Sequence, residues 1–273
     1  MDEAMASASR RTLELRAGTD SRRNTILQLA RDHGVVRVSE LSRRFDISEV
    51  SIRRDLAKLE EYGLLRRVHG GAVSAPGSAG ARTFDSRSAS RLDEKRRIGQ
   101  VAAQLVERGD CIILDSGTTV LQVARHIARI ADERGPLTVI TPSLAAFREL
   151  AHVRGLQLFV LGGIYQPDYQ TLVGPQTLAN LRGFHVDKLF LGADGLSLEH
   201  GVTTADILEA EVSRAMVQIA DRIIVVADSS KVNSAGFTSI IPLSRMTTLV
   251  TDAATPQPFV DNLRMQGVEV VAV

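Results

Sequence analysis

The sequence predicts an α/β protein in two parts: a small, basic, helical N-terminal domain and a larger α/β domain with a mostly parallel sheet. Three observations predict it. Charge is divided along the chain: residues 22–73 hold 11 basic and 7 acidic side chains and residues 74–97 hold 6 and 3, whereas residues 98–273 hold 13 and 18. That asymmetry joins a polyanion-binding module to something with another task. The run Ser74-Ala75-Pro76-Gly77-Ser78-Ala79-Gly80 cannot hold a helix or strand and reads as a linker. Beyond it, short β-branched runs alternate with longer amphipathic ones, the pattern of parallel strands covered on both faces by helices.

Composition sets the outer limits. The 273 residues are 44% hydrophobic and 24% charged, with mean hydropathy +0.02. This is globular usage, which excludes a disordered, collagen-like or membrane-spanning chain. A single cysteine, Cys111, allows no internal disulfide and no multi-thiolate metal site, so a cytoplasmic location is expected. Residues 1–21 mix Asp2, Glu3 and Glu14 with arginines and lack an apolar stretch, so they read as a disordered lead-in rather than a signal peptide.

In the front domain, residues 22–73, Arg22–His33 has Ile26, Leu29 and Ala30 on one face and stops at Gly34. A second helix starts at Ser39, read as its N-cap, and buries Leu41 and Phe45. A third follows the short Asp46-Ile47 connection. Ser48 is placed to cap it, Ile47 can staple to Ile52, and Ile52, Leu56 and Leu59 recur at helical spacing. Its outward face then carries Glu49, Ser51, Arg53 and Arg54, with Lys58 further along, side chains able to reach base edges and phosphates. Two helices so arranged make a helix-turn-helix. Leu64–Val73 adds a hairpin, with Arg66, Arg67, His69 and the Gly70-Gly71 tip forming a basic wing.

Residues 74–93 read as linker and residues 94–273 as the second domain. A helix over Ile98–Val106 precedes strands at Cys111–Leu114, Leu137–Thr141, Gln157–Leu161, Lys188–Gly192, Ile223–Ala227, Thr248–Thr251 and Val268–Ala272. Helices are expected between most of them, at Thr119–Ile130, Ser143–His152, Pro175–Leu181, Ile207–Ala220 and Pro258–Met265. The first strand runs into Asp115-Ser116-Gly117-Thr118-Thr119 and then a helix, a junction of hydroxyls and free backbone amides that suits a phosphate. Three more polar clusters end strands: Gly162-Gly163-Ile164-Tyr165, Gly192-Ala193-Asp194-Gly195 and Asp228-Ser229-Ser230-Lys231. In parallel sheets such ends converge on one crevice. Lys231 can neutralise an anion, and Asp115 and Asp194 can accept hydrogen bonds from sugar hydroxyls. Glu209 and Glu211 read as solvated. The six histidines show no metal-ligand spacing, so no metal and no cofactor is expected.

The motifs also carry a resemblance. Ser39-Glu40-Leu41-Ser42-Arg43-Arg44-Phe45-Asp46-Ile47-Ser48, Ser51-Ile52-Arg53-Arg54-Asp55-Leu56 and Gly63-Leu64-Leu65-Arg66-Arg67-Val68-His69-Gly70-Gly71-Ala72 resemble the DeoR family of bacterial transcriptional regulators. The similarity continues through Glu94-Lys95, Asp115–Thr119, Gly162-Gly163 and Asp228–Lys231. It implies a winged helix-turn-helix and a sensor domain resembling ribose-phosphate isomerases, controlled by a phosphorylated sugar. Enzymes of that fold carry Asp-Gly-Ala-Asp-Glu. The matching stretch here is Leu191-Gly192-Ala193-Asp194-Gly195, which lacks two of those carboxylates, so binding without turnover is implied.

The leading expectation is therefore a sequence-specific repressor of carbohydrate catabolism genes that binds double-stranded operator DNA as a homo-oligomer, dimer or tetramer. Its rivals are a sugar-phosphate isomerase with a fused basic domain and a non-specific nucleic-acid-binding protein.

Overall fold

The computed structural model describes residues 22–273 except 24, 28, 31–33, 62–64 and 75–83. The lead-in expected over residues 1–21 and most of the breaker-rich run lie outside the described residues. Two compact units meet between Arg82 and Thr83.

In the first unit, the described residues among 22–30 are helical. Strand β1 (Val35–Arg37) runs into helix α1 (Val38–Phe45). Then come α2 (Glu49–Glu61), β2 (Leu65–Val68) and β3 (Gly71–Ser74). Ile26, Leu41, Ile52, Leu56, Leu59 and Leu65 form the core, with Ile47 packed against it. The sheet is antiparallel in the order β1-β3-β2, so the expected hairpin gains a third strand. A Cβ at Gly71 would lie 2.1 Å from the Val36 carbonyl oxygen, which is why glycine lets β1 close on β3. Ser39 is not the cap of α1. The helix leaves β1 directly, Arg37 holds the cap position, and the Val38 N–H is bonded to the Gly70 carbonyl at 2.9 Å, leaving Ser39 exposed.

The second unit begins earlier than the sequence suggests. Residues 84–93, read as linker, form α3 (Phe84–Ala89) and the start of α4 (Leu92–Gln104). Phe84 anchors α3 by packing on Leu121 and Ala145. Asp93 and Glu94 favour the N-terminal turn of α4, ahead of the apolar residues that signalled a helix from Ile98.

The main sheet contains β4 (Cys111–Leu114), β5 (Leu137–Thr141), β6 (Leu156–Val160), β9 (Val186–Leu191), β12 (Ala220–Val226), β14 (Thr248–Thr251) and β15 (Glu269–Ala272). Its order is β15-β14-β12-β9-β4-β5-β6 and every pairing is parallel. Two apolar clusters cover its faces, one around Leu189, Leu191 and Val225 and one around Ile112, Leu114 and Phe190. The covering helices include α4, α5 (Thr118–Arg134), α6 (Leu144–Leu150), α7 (Pro175–Leu181), α8 (Ile207–Gln218) and α9 (Gln257–Met265). Two small antiparallel sheets were not expected: β7 (Ile164–Gln166) with β8 (Thr171–Val173), and β10 (Gly195–Ser197), β11 (Gly201–Thr204) and β13 (Thr238–Ile241). Their three- and four-residue strands are too short to show a period.

Strand order reverses at β4: β5 and β6 lie on one side of it, and β9, β12, β14 and β15 on the other. In open parallel sheets the crevice beyond the carboxyl ends at such a reversal is where ligands bind. Here that places the ends of β4 and β9 side by side, at Asp115 and Gly192.

Candidate functional site

The first unit presents a cationic surface. Arg53 and Arg54 are exposed on the first turns of α2, and Arg53 is paired within the helix to Glu49 at 2.8 Å. An exposed pair of this kind is worth about 0.3–0.5 kcal/mol and is readily exchanged for a phosphate or base. Ser48 precedes the helix, and its hydroxyl accepts a long 3.4 Å bond from the Ser51 N–H and sits 3.1 Å from the Ser51 hydroxyl. A cleft of about 390 Å³ brings Arg53 together with Arg67, His69 and Gly70 of the wing. Arg66 is exposed beside it, and Arg67 is tied to Glu60 through its backbone N–H at 2.8 Å and its guanidinium at 3.2 Å. Lys58 does not line this cleft; it pairs with Glu61 at 2.8 Å. Asp55 is buried and accepts from Arg22 and Arg23 at 2.7 and 2.8 Å, fastening the leading helical residues to α2. The sequence reading passed over Val50, which is 66% exposed on the first turn among these polar residues. Its position off the Ile52, Leu56 and Leu59 stripe was the available sequence signal.

In the second unit, Asp115 ends β4. It is buried, and its Oδ2 accepts from the Gly192 N–H at 3.2 Å across the strand reversal. Gly117 then takes φ +109° with open space around its missing side chain, so the turn into α5 requires glycine for backbone reasons alone. No side chain caps α5, which leaves the first N–H groups at Thr118 and Thr119 facing the crevice end of the strand. The Ser116 hydroxyl donates to Glu209 Oε1 at 2.5 Å. Glu209, expected to be solvated, is buried; α8 packs its first turn against the ends of β4 and β11, while Glu211 on the opposite side is exposed.

Asp194 is the hub. Its Oδ2 accepts from the Tyr169 hydroxyl, the Thr204 hydroxyl and the Ala205 N–H, each at 3.0 Å, and its Oδ1 lies 3.5 Å from the Arg87 guanidinium. Burial would raise its pKa, but Lys231 and then Arg87, helped by these donors, hold it below the usual carboxylate range. Its neighbours move the other way. Burial pushes Asp115 up to about 7 against the pull of the Ser116 and Gly192 N–H groups, and burial with Asp194 and Asp115 nearby pushes Glu209 well up. The Thr204 hydroxyl that donates to Asp194 also lies 3.1 Å from Glu209 Oε2. Asp194, held low, and Asp115 and Glu209, both raised by burial, thus share a crevice with Arg87 and Lys231.

Arg87 comes from the segment read as linker. Its guanidinium stacks 4.3 Å over the Tyr169 ring and bonds to the Asp168 carbonyl, yet its buried Nε has no partner among the described residues. Lys95, itself buried, donates to the Arg87 and Ser90 carbonyls at 2.6 and 2.7 Å and closes the end of α3. Arg91 reaches Ser229 Oγ at 3.1 Å and Asp228 at 3.9 Å. The residues 84–91 therefore form a strap over three strand-end loops. The recurrence of Arg87, Arg91 and Lys95 at four-residue spacing was the available sequence signal.

Other expected residues are placed differently. Tyr165 is 46% exposed on β7, and Tyr169 occupies the crevice instead, because the β7–β8 turn folds back toward Asp194. Gly163 has a packing role: a Cβ there would sit 2.1 Å from the Thr177 hydroxyl, which donates to the Gly162 carbonyl at 2.7 Å. Gly195 lies against the Ser234 carbonyl, 2.5 Å from where a Cβ would stand. Lys231 ends the one-turn 3-10 helix Ser229–Lys231, whose cap Asp228 is buried.

Family comparison agrees with this division of labour. Residues 22–76 match the DeoR-like helix-turn-helix domain and residues 90–253 match the DeoR C terminal sensor domain. The chain belongs to the DeoR family. It is a DNA-binding transcriptional regulator with a sensor domain. The transcriptional repressor AccR of Agrobacterium fabrum (strain C58 / ATCC 33970) is 36% identical over 87% of this DeoR-family chain and 91% of its own. The HTH-type transcriptional repressor GlcR of Bacillus subtilis (strain 168) is 33% identical over 90% and 93%. Among solved structures, ribose 5-phosphate isomerase A from Methanocaldococcus jannaschii is similar over 52% of this chain and 55% of that one, at 21% identity and a TM-score of 0.40.

Proposed function

We propose that this regulator represses genes of carbohydrate catabolism and is switched by a phosphorylated sugar held, without turnover, beyond the ends of β4 and β9. One observation carries the site: the buried, unpartnered Nε of Arg87 beside Asp194, a guanidinium donor that a ligand oxygen satisfies. An unpaired buried donor on a charged group costs on the order of 1–3 kcal/mol, which a phosphate contact recovers. Arg87, Lys231 and the N–H groups of Gly117–Thr119 take the phosphate; Asp115, Asp194 and Glu209 take hydroxyls. Gly162, Gly163 and Gly195 shape the walls. The incomplete carboxylate set at 191–195 supports binding rather than isomerisation.

On the first unit, Ser51, Arg53, Arg54 and Val50 face base edges, with Ser39, Ser48, Glu49, Lys58, Arg66, Arg67 and His69 on backbone contacts or orienting them. A dimer or tetramer supplies paired helices to a two-fold operator. No helix among the described residues is long and apolar enough to cross a membrane, and the protein acts in the cytoplasm.

A thermal-shift screen of phosphorylated sugars on the full chain tests this reading, since a ligand bound only by the native state raises its melting temperature. The expected hit also changes operator affinity in fluorescence anisotropy, and its shift disappears in Arg87→Ala and in Lys231→Ala. A shift that survives both substitutions, or steady accumulation of an isomerised product, overturns it.

A further inference from the structure

On the outer side of the sensor unit, α4 and α5 enclose a second polar pocket of about 390 Å³ that shares no residue with the crevice described above. The two helices cross in contact, because Gly99 has no side chain: a Cβ there would lie 2.6 Å from both the carbonyl carbon and the Cβ of Gln122. Beside that crossing Gln122 is 2% exposed, lines the pocket, and its amide Nε2 has no hydrogen-bond partner among the described residues. Protein interiors avoid such orphans, so the group calls for an acceptor from outside the chain.

The charges around it say what that acceptor carries. Arg96 and Arg125 are compensated, by Asp93 at 3.2 Å and Glu149 at 2.9 Å. Arg97 and Arg129 also line the pocket and have no carboxylate partner among the described residues. His126 donates to the Arg96 carbonyl and is held below its ordinary pKa by burial and then by Arg129. Two uncompensated guanidinium groups and one buried amide donor thus face one hollow. A phosphate monoester near neutral pH carries about −1.5 to −2 and presents three acceptor oxygens, which matches both counts. A helix-lined concavity with a buried donor favours a small anion over a nucleic-acid backbone, which binds to protruding side chains.

We infer that this pocket is a second anion site of the sensor domain, taking a phosphate dianion, free or carried by a small metabolite, on Arg97, Arg129 and Gln122. The test uses the full-length protein in chloride of matched ionic strength. Inorganic phosphate and glycerol phosphate are titrated separately while the ring signals of His126 are followed by NMR. Saturable shifts are expected with one or both probes, and the tighter of the two identifies the source of the phosphate. Loss of two charge-assisted contacts in Arg97→Ala/Arg129→Ala lowers affinity by about tenfold or more. Gln122→Met, which keeps the side-chain shape, also weakens binding, and Lys231→Ala leaves the His126 response intact. Both pocket variants are expected to melt and to bind operator DNA as the wild type does. The inference is overturned if chloride produces the same shifts or if phosphate affinity is unchanged in both variants. It also fails if the variants lose operator affinity, or change oligomeric mass by light scattering, while phosphate binding persists.

Discussion

At Asp115 the protein holds a carboxyl whose pKa burial raises to about 7 from 3.8. Between those values the folded state keeps a proton that the unfolded state has released. The associated stability is complete below about 3.8 and is lost as pH rises through about 7. Glu209, raised by the same burial, acts in the same direction, whereas Asp194, held low, contributes stability that is present above the ordinary carboxylate range and is lost as pH falls below it. Replacing Asp115 by Asn mimics the protonated form, so the variant gains on the wild type by several degrees in melting temperature as pH is raised from about 4 to above 7. A constant difference across that range excludes a proton on Asp115. A second buried group, toward the amino-terminal ends of the central strands β4 and β9, makes a contrasting case. Lys188 Nζ lies 2.6 Å from Asp110, both side chains being at most 10% exposed, and 3.7 Å from the exposed Glu107. Asp110→Ala leaves an ammonium buried with only a distant counter-charge and costs about 3 kcal/mol in denaturant unfolding. Adding Lys188→Met removes the stranded charge and recovers most of that loss.

At the scale of elements, α2 works through its exposed first turn. Val50 makes no core contact, so Val50→Ser changes stability by less than about 0.5 kcal/mol. It also alters no charge, and non-specific DNA affinity stays the same. If Val50 packs on a base edge, the variant loses about 1 kcal/mol of discrimination at one operator position, read by anisotropy on singly substituted duplexes. Equal discrimination at every position places Val50 away from the groove. The elements differ in how openly the sequence displayed them. Ile52, Leu56 and Leu59 wrote α2 in a helical period, and the β-branched runs wrote the main strands, because burial on one stripe or on both faces leaves a repeating pattern. The strap at 84–91 left little pattern. Its stability comes from Phe84 in a distant pocket and from Lys95 closing its end, neither visible as periodicity. Glu209 and Tyr169 were hidden for a related reason. A buried carboxyl in the first turn of a helix has the same local spelling as a solvated one, and only the fold shows that α8 points it at Ser116. Asp115 and Asp194 were legible because glycines and hydroxyls cluster at strand ends where a parallel sheet converges.

For the molecule as a whole the question is how an effector of the sensor domain alters DNA affinity. The strap is the first described element after the breaker-rich run, and Arg87 within it pairs with the carboxylate at the centre of the crevice. A phosphate bound as proposed would compete for Arg87 and change what holds the strap to Asp194, Tyr169 and the 228–229 loop. In the proposed oligomer the effect on DNA passes through how the sensor domains arrange paired recognition helices. Whatever the route, an effector can change DNA affinity only by binding the competent and incompetent states differently, and operator DNA must then change effector affinity by the same factor. Couplings of about 1–3 kcal/mol correspond to roughly 5-fold to 150-fold, measurable by titrating either ligand in the presence of the other. Arg87→Lys keeps a cation but loses the planar fork that stacks on Tyr169, so it should retain part of the effector affinity while the two reciprocal factors shrink together. Effector affinity identical in free and operator-bound wild-type protein breaks the link between the two units and with it this account of regulation.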